Sequence, residues 1–385
     1  MLTNAFSRSL CGGESGGEVS RNLRCWVEIS RQRLVENYER LKRTVGPRVE
    51  IMPVVKADAY RHGAVEVSRT LLGAGVRWLA VSSVDEGVAL RRAQIDARIL
   101  VMGGILPWEW ETIRSYELTP VLHSLEEIGK VGPGRYHLKI DSGMGRLGTR
   151  AEVPQLASAI RQAPHAKLEG LMTHFASSAD FTSNQTELQI QRFEEIRQGL
   201  QAEGVVAEYV HMASTNSLVL ARSETWWNLV RPGLVLYGYW TKGRGAAPKP
   251  LVETRPVLCW KASIVAVKEI EQGAPVGYGA MFRAPRDMRI AVVGIGYADG
   301  LPHRLSNRGR VIAAGKLTPV LGAVSMDLTT IDLTPAPHLK VGDAVTIIGE
   351  EGEVCQDAHQ LARAAGTITY DILCSISARV QRVYL

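Results

Sequence analysis

Cysteine is scarce and scattered. Its five copies, Cys11, Cys25, Cys259, Cys355 and Cys374, form neither a C-x-x-C pair nor a disulfide spacing. That excludes a thiolate metal knuckle and a disulfide-stapled secreted scaffold, and it fits a reducing cytoplasm. No apolar run approaches the ~20 residues that span a bilayer, so no membrane role is expected. Residues 1–24 lack the apolar segment of a secretory signal, and Glu14 and Glu18 argue against a transit peptide. Rich in Gly and Ser, they read as a disordered extension. Lys and Arg outnumber Asp and Glu by 45 to 39, a net charge of +6 with no basic run. That excess suits small anionic ligands and gives no stripe for nucleic acid. No His, Asp or Glu spacing suggests a metal.

What the chain does have is alternation. Short β-rich runs fall at Val49–Val55, Trp78–Val81, Ile99–Met102, Thr119–Leu122, Tyr136–Ile140, Leu168–Met172, Ala207–His211 and Asn228–Val230. Between them lie helical patterns such as Val84–Arg92, Leu125–Val131, Val153–Gln162 and Glu187–Ala202. The last gap offers only a short helix, Ser214–Leu220. Strands alternating with helices predict parallel βαβ units, and eight of them fit a TIM-type (β/α)8 barrel. A Gly- and Pro-punctuated linker, Lys242–Pro256, follows. Beyond it, alternating runs such as Trp260–Val267, Arg289–Val293 and Ala344–Ile348 predict a C-terminal mostly-β domain with one helix near Gln356–Ala364. The expected domains are the extension 1–24, the barrel 25–250 and the β domain 251–385.

Several of the barrel runs end on polar residues. Lys56 follows the first, Asp141 the fifth, His174 the sixth, His211 and Ser214 the seventh, and Arg231 the eighth. All would lie on the C-terminal rim, where barrel enzymes keep their chemistry. A lysine there, on a small-residue turn, can lose its proton by desolvation and form a Schiff base with a carbonyl cofactor. The competing reading is a surface lysine that ends a strand.

The stretch Lys56-Ala57-Asp58-Ala59-Tyr60-Arg61-His62-Gly63 resembles the lysine motif of the alanine racemase family, which depends on pyridoxal 5'-phosphate (PLP). Further motifs recur in order: Lys139–Gly148, Thr173-His174-Phe175-Ala176, Val230-Arg231-Pro232-Gly233-Leu234, Val276-Gly277-Tyr278-Gly279, Gly296–Gly300, Val324-Ser325-Met326-Asp327 and Tyr370–Cys374. The resemblance covers Trp26 to Val380. Two positions in the first motif depart from it, Asp58 for Asn and Arg61 for Gly. A local loop adjustment is expected at Arg61, because arginine takes positive φ less readily than glycine.

The resemblance implies the roles. Lys56 carries the cofactor and serves as one base; Tyr278 is the other. Tyr60, Thr215, Gly233, Leu234 and Tyr370 hold the phosphate, with Ser214 at the same strand-to-helix turn, where a plain N-cap is a compatible reading. Arg231 faces the ring nitrogen, where a permanent cation disfavours protonation. The bland alternative is a strand-end arginine paired with a surface carboxylate. A tyrosine base needs its pKa of ~10 lowered by cationic or hydrogen-bonding neighbours, which His174 and Arg231 are expected to provide. Arg146 and the Met326 N–H hold the substrate carboxylate, and Tyr297 lines the access channel, altered here by His303. Lys139 is either a carbamate or a buried lysine paired with Asp141. Asp299, Asp327 and the remaining histidines, His137 among them, read as structural.

The implied activity is interconversion of L- and D-alanine, supplying D-alanine for peptidoglycan, in a cytoplasmic homodimer with shared active sites. Serine is the alternative substrate, since a pocket of this kind discriminates one small group by only ~1–3 kcal/mol. A PLP decarboxylase would place an acid at the ring nitrogen, against Arg231. A PLP carrier would not need Tyr278 and Met326.

Overall fold

The computed structural model describes residues 23–385. The expected disordered extension thus lies almost wholly outside the described residues. The chain forms two compact units, one of residues 33–59 and 63–255, the other of the described residues through Gln32, residues 60–62 and 256–385.

The first strand, β1 (Cys25–Ile29), is fully buried. The barrel unit begins with β2 (Glu50–Ile51) and continues through β3 (Trp78–Val81), β4 (Arg98–Val101), β5 (Thr119–Leu122), β6 (Gly134–Lys139), β7 (Ala166–Met172), β8 (Tyr209–His211) and β9 (Leu229–Val230). Strands β3 to β8 form one parallel sheet in sequence order, and β2 pairs in parallel with β9. Parallel bridges Val54–Ala80 and Ser214–Arg231 join the two pieces, so the eight strands close into a ring. Closure removes both sheet edges.

Helix signals here are local and strong. Ser83 caps Val84–Arg92 with Glu86 reaching back, and Ser124 does the same with Glu127. Each box satisfies two otherwise orphan donors. The longest helix, Gln185–Ala202, buries Thr186, Gln189, Phe193, Ile196 and Leu200. That is one stripe at helical spacing.

The second unit is a mixed sheet built on β10 (Leu258–Ile270). After a two-stranded hairpin, β11 (Pro275–Val276) and β12 (Phe282–Arg283), come β13 (Met288–Val293), β14 (Arg310–Ala313), β15 (Lys316–Pro319), β16 (Thr329–Asp332), β17 (Ala344–Glu351) and β18 (Val354–Gln356). Helices Ala358–Ala365 and Thr369–Ser375 precede β19 (Gln381–Tyr384). The second of these helices, which carries Tyr370, is absent from the sequence expectation. It is only two turns long, too short for periodicity to declare itself.

The assignment of Cys25–Ile29 to the barrel is corrected. β1 pairs antiparallel with β10, Cys25 opposite Ala262, and parallel with β19, Trp26 opposite Gln381. A strand buried on both faces shows no alternation that would reveal which sheet it joins.

Candidate active site

Lys56 opens the most strained stretch of the chain. Ala57, Asp58 and Ala59 have φ of 52°, 54° and 54° with ψ near 47°, a left-handed turn of non-glycine residues. Such a turn costs roughly 1–2 kcal/mol per residue, and strain of this kind persists only where neighbours over-determine it. Here Ala59 N–H donates to Val55 O (2.8 Å) and Gly63 N–H to Asp58 O (3.0 Å). Asp58 Oδ1 accepts from Ala64 N–H at 2.7 Å. That contact needs only an acceptor, which Asp provides as well as Asn. Glu86 accepts from Ala57 N–H (2.6 Å) with one oxygen and from Ser82 N–H (2.7 Å) with the other. One carboxylate therefore pins the loops after the first two barrel strands.

The β unit takes up the same run at residues 60–62. Tyr60 and Arg61 also have positive φ, 53° and 66°. Arg61 itself takes the positive φ that glycine favours. Arginine accepts the left-handed conformation because both its ends are held: Arg61 Nε donates to Cys374 O (3.2 Å), and Arg61 O accepts from Arg382 Nε (3.2 Å).

At the C-terminal mouth of the barrel, Arg231 is 2% exposed. Its Nη1 donates to His211 O (2.9 Å) and faces His211 Nδ1 (2.7 Å). Its Nη2 donates to Thr173 O (2.8 Å) and Met212 O (3.2 Å), with His174 Nδ1 at 3.5 Å. Among the described residues no carboxylate pairs with it. The expected alternative, an arginine paired with a surface carboxylate, is thereby set aside. Burial brings its pKa down to about 9, which leaves it a cation at neutral pH.

Its neighbours carry the imprint of that cation. Burial first, then Arg231, Lys139, Arg146 and Lys56, hold His174 down to about 3. His174 is therefore neutral, so of the two expected parts beside the tyrosine base, cation or hydrogen-bonding neighbour, it keeps the second. A buried imidazole among four cations cannot accept a fifth charge. Lys139, buried at the end of β6, is lowered to about 8 by burial, Arg231 and Arg146. Asp141 acts on it through its field alone. The Asp141 oxygens accept from the N–H groups of Gly143 (3.2 Å), Met144 (3.0 Å) and Gly145 (3.0 Å) and from Arg150 (2.7 Å).

Ser214 occupies the N-cap position of helix Thr215–Val219, but its side chain makes no capping bond. Thr215 Oγ1 accepts from Gly233 N–H (3.2 Å) and Val235 N–H (3.3 Å). Two of the expected phosphate residues, Thr215 and Gly233, are thus hydrogen-bonded to each other. The hydroxyl proton of Thr215 remains available to donate.

The β unit carries the other expected residues. Tyr60 and Tyr370 have ring centroids 6.1 Å apart. Burial raises the Tyr370 pKa, so it stays protonated. Tyr278 is 78% exposed, Met326 54% and Tyr297 46%. The loops of Tyr297 and Met326 are zipped together: Tyr297 N–H donates to Ser325 O and Ala298 N–H to Met326 O, both at 3.0 Å. Gly296 sits where any Cβ would collide with those two carbonyls. Arg379 clamps the pair, reaching Asp299 at 2.6 Å and Asp327 at 2.6 Å. His303 stacks edge-on to Tyr297 at 6.4 Å.

Three supporting residues escaped the sequence reading: Glu86, Arg379 and Gln189. Gln189 holds the His174 loop, donating to His174 O (3.1 Å) and accepting from Ala176 N–H (2.9 Å). Its signal was a polar residue inside the buried stripe of its helix. Glu86 was readable as the fourth member of Ser83-x-x-Glu86. Arg379 had no local signal.

Comparison with known proteins gives one answer. Residues 29–240 match the family "Alanine racemase, N-terminal domain" and residues 257–384 match "Alanine racemase, C-terminal domain". The chain is 37% identical to the alanine racemase of Halothermothrix orenii over 368 residues, 93% of this chain and 96% of that one. It is 38% identical to that of Symbiobacterium thermophilum over 368 residues, again 93% and 96%. Among solved structures, the alanine racemase from Bacillus anthracis with bound L-Ala-P superposes with a TM-score of 0.86 at 32% identity, covering 94% of this chain and 95% of that one. The enzyme from Bartonella henselae with covalently bound pyridoxal phosphate gives 0.83 at 28% identity, covering 94% and 100%.

Proposed function

The chain belongs to the alanine racemase family, and from that premise we propose that it interconverts L- and D-alanine with PLP as cofactor. The observation that carries the reading is Arg231, a buried cation whose side-chain partners are neutral imidazoles.

The residues fit that cofactor. Lys56, Lys139, Arg146 and Arg231 press on one another and on His174, and Asp141, the carboxylate whose field reaches Lys139, is occupied by its own loop. Such a cluster calls for an anionic guest. Lys56 would hold the cofactor covalently. The hydroxyls of Thr215, Tyr60 and Tyr370, with the turn at Gly233 and Leu234, would hold its phosphate, Ser214 starting the same turn. When bound, PLP would supply an aldehyde carbon that passes from Lys56 Nζ to the substrate amine, freeing the lysine amine, and a ring that acidifies the Cα–H bond.

The chain's own groups do the rest. Arg231 can only donate, so it would hold the cofactor's ring nitrogen as an acceptor and leave it unprotonated, a role that favours prompt return of the proton over side reactions. Lys56 Nζ takes or returns a proton on one face of Cα and Tyr278 Oη on the other. His174, neutral, presents Nδ1 to Arg231 and carries its proton on Nε2. Arg146 and the Met326 N–H orient the substrate carboxylate, and Tyr297 narrows the channel. Lys139, lowered to about 8, is partly neutral at physiological pH and hence able to add carbon dioxide as a carbamate.

A homodimer with shared sites is part of the proposal. The exposed aromatic and thioether side chains Tyr278, Tyr297 and Met326 suit cover by a second copy. No helix among the described residues is long and apolar enough to cross a membrane, and no disulfide joins Cys25, Cys259, Cys355 and Cys374. Both suit a cytoplasmic enzyme supplying D-alanine to peptidoglycan. Borohydride reduction of the purified protein followed by peptide mass spectrometry tests the anchor. A pyridoxyl adduct on Lys56 supports it; an adduct elsewhere, or none, refutes it.

A further inference from the structure

Behind Arg231 a line of buried side chains runs the length of the barrel. His211 Nε2 lies 2.8 Å from His137 Nδ1. Among the described residues His137 Nε2 has no hydrogen-bond partner, and the carboxylate it faces is Glu169, at 3.6 Å. Glu169 is fully buried in the middle of β7. It is held by Arg98, the first residue of β4, and by Arg135 near the start of β6 at 2.7 Å. The line therefore starts at the C-terminal mouth and ends among arginines at the opposite end of the strands.

The direction of every proton in it is determined. Arginine has no acceptor, so His211 Nδ1 must accept from Arg231. A neutral imidazole with an accepting Nδ1 carries its proton on Nε2. That proton goes to His137 Nδ1, which must therefore accept. His137 in turn carries its proton on Nε2, aimed at Glu169. Burial, before any other influence, lowers the affinity of both imidazoles for a second proton. Burial alone would raise Glu169, yet His137, Arg98 and Arg135 hold it at about 2. A cation at one end and a carboxylate at the other leave one consistent set of tautomers.

The surroundings lock the rings. His137 packs edge-on against Trp78 at 5.4 Å and stacks on Tyr209 at 6.3 Å. Arg98 lies over the Trp78 ring at 3.9 Å. Gly170, next to Glu169, leaves room for the His137 ring that any Cβ would occupy.

We propose that Glu169 is a positioning residue for the reaction: from the far end of the barrel it fixes the tautomers of His137 and His211, and through them the aim of Arg231. A flip of the His211 tautomer would set an N–H against the Arg231 N–H and push the guanidinium off its mark. The effect on turnover rests on the role proposed above for Arg231; the proton arrangement does not.

Nitrogen-15 NMR of the histidine-labelled full chain, without added cofactor, reads the tautomers directly. Wild type should show His137 and His211 both neutral with the proton on Nε2, and a coupling across the His137 Nδ1–His211 Nε2 hydrogen bond. In Glu169→Gln the neutral amide can turn an N–H donor toward His137 Nε2, which the carboxylate cannot. His211, two rings away, should then populate the Nδ1–H form, and kcat of the PLP-loaded enzyme should fall about ten-fold or more with KM for alanine little changed. Glu169→Asp, which keeps an acceptor, should restore the Nε2–H form in part. An Nδ1–H tautomer at either ring in wild type overturns the proposal. So does a Glu169→Gln protein whose His211 tautomer is unchanged, whatever its activity. A shifted tautomer with wild-type kcat upholds the relay and counts against the role of Arg231 instead.

Discussion

Arg231 Nη1 stands 2.7 Å from His211 Nδ1 and 2.9 Å from the carbonyl oxygen of the same histidine. One guanidinium nitrogen thus reads both the ring and the backbone of His211, while the other reaches Thr173 O and Met212 O. Lysine has the charge but not the planar fork. Arg231→Lys should lose kcat in both directions by about a hundred-fold or more. It should also cost roughly 1–3 kcal/mol of stability, because buried acceptors lose donors. Steady-state kinetics with each enantiomer and urea unfolding check the two numbers. A lysine variant with wild-type kcat would show that charge alone suffices.

Four imidazoles of the barrel unit are kept neutral by burial first. His123 is lowered to about 4 and His174 to about 3, and His137 and His211 are lowered as well. In the unfolded chain each titrates near ~6.5. Above that pH neither state binds the extra protons, and stability is unaffected. Below it the unfolded state takes them up and the folded state does not, so stability falls as pH drops. Each histidine contributes a slope of about 1.4 kcal/mol per pH unit in that range. Urea unfolding between about pH 7.5 and about pH 5.5 should show the loss, and His123→Gln should reduce the slope by about one proton. Stability flat across that window would contradict the neutral assignment.

Lys139 gives the opposite limb. Its folded pKa of about 8 lies below the usual lysine value of 10.5, chiefly through burial. Below about 8 both states are protonated, and the folded state bears the cost of the buried charge. Between about 8 and about 10.5 the folded state has lost the proton and the unfolded state has not, so stability rises with pH. Wild type measured against Lys139→Met in carbonate-free buffer should gain over that window. Parallel curves would place the amine in water.

Ala57 is exposed and sits in the left-handed turn at φ 52°. Glycine at that position removes about 1–2 kcal/mol of strain and adds about 0.5–1 kcal/mol of unfolded-chain entropy cost. Ala57→Gly should therefore be stabilising by about 0.5–1 kcal/mol, read by chemical unfolding. A destabilised glycine variant would mean that the turn carries no strain.

The barrel was legible because its signals are local. Strands Trp78–Val81 and Thr119–Leu122 and helices Val84–Arg92 and Val153–Gln162 stand where pattern and caps put them. The order of the motifs along the chain revealed the mouth residues. What stayed hidden depends on distance in sequence. β1 reads like any buried strand, and its partners lie at Leu258–Ala262 and Gln381–Tyr384. Arg379 meets Asp299 across 80 positions. The neutrality of His174 comes from burial, joined by cations on three other loops. The left-handed run after Lys56 uses alanine, aspartate, tyrosine and arginine, of which only aspartate favours positive φ at all.

The claim on which the rest depends is that Cα of alanine loses and regains its proton with Lys56 required. Purified protein loaded with PLP, incubated with L-alanine in D2O and followed by chiral chromatography and mass spectrometry, tests it most directly. D-alanine should accumulate toward an equal mixture, carrying deuterium at Cα, and Lys56→Ala should abolish both. Absence of D-alanine, or racemisation that survives Lys56→Ala, would contradict the account.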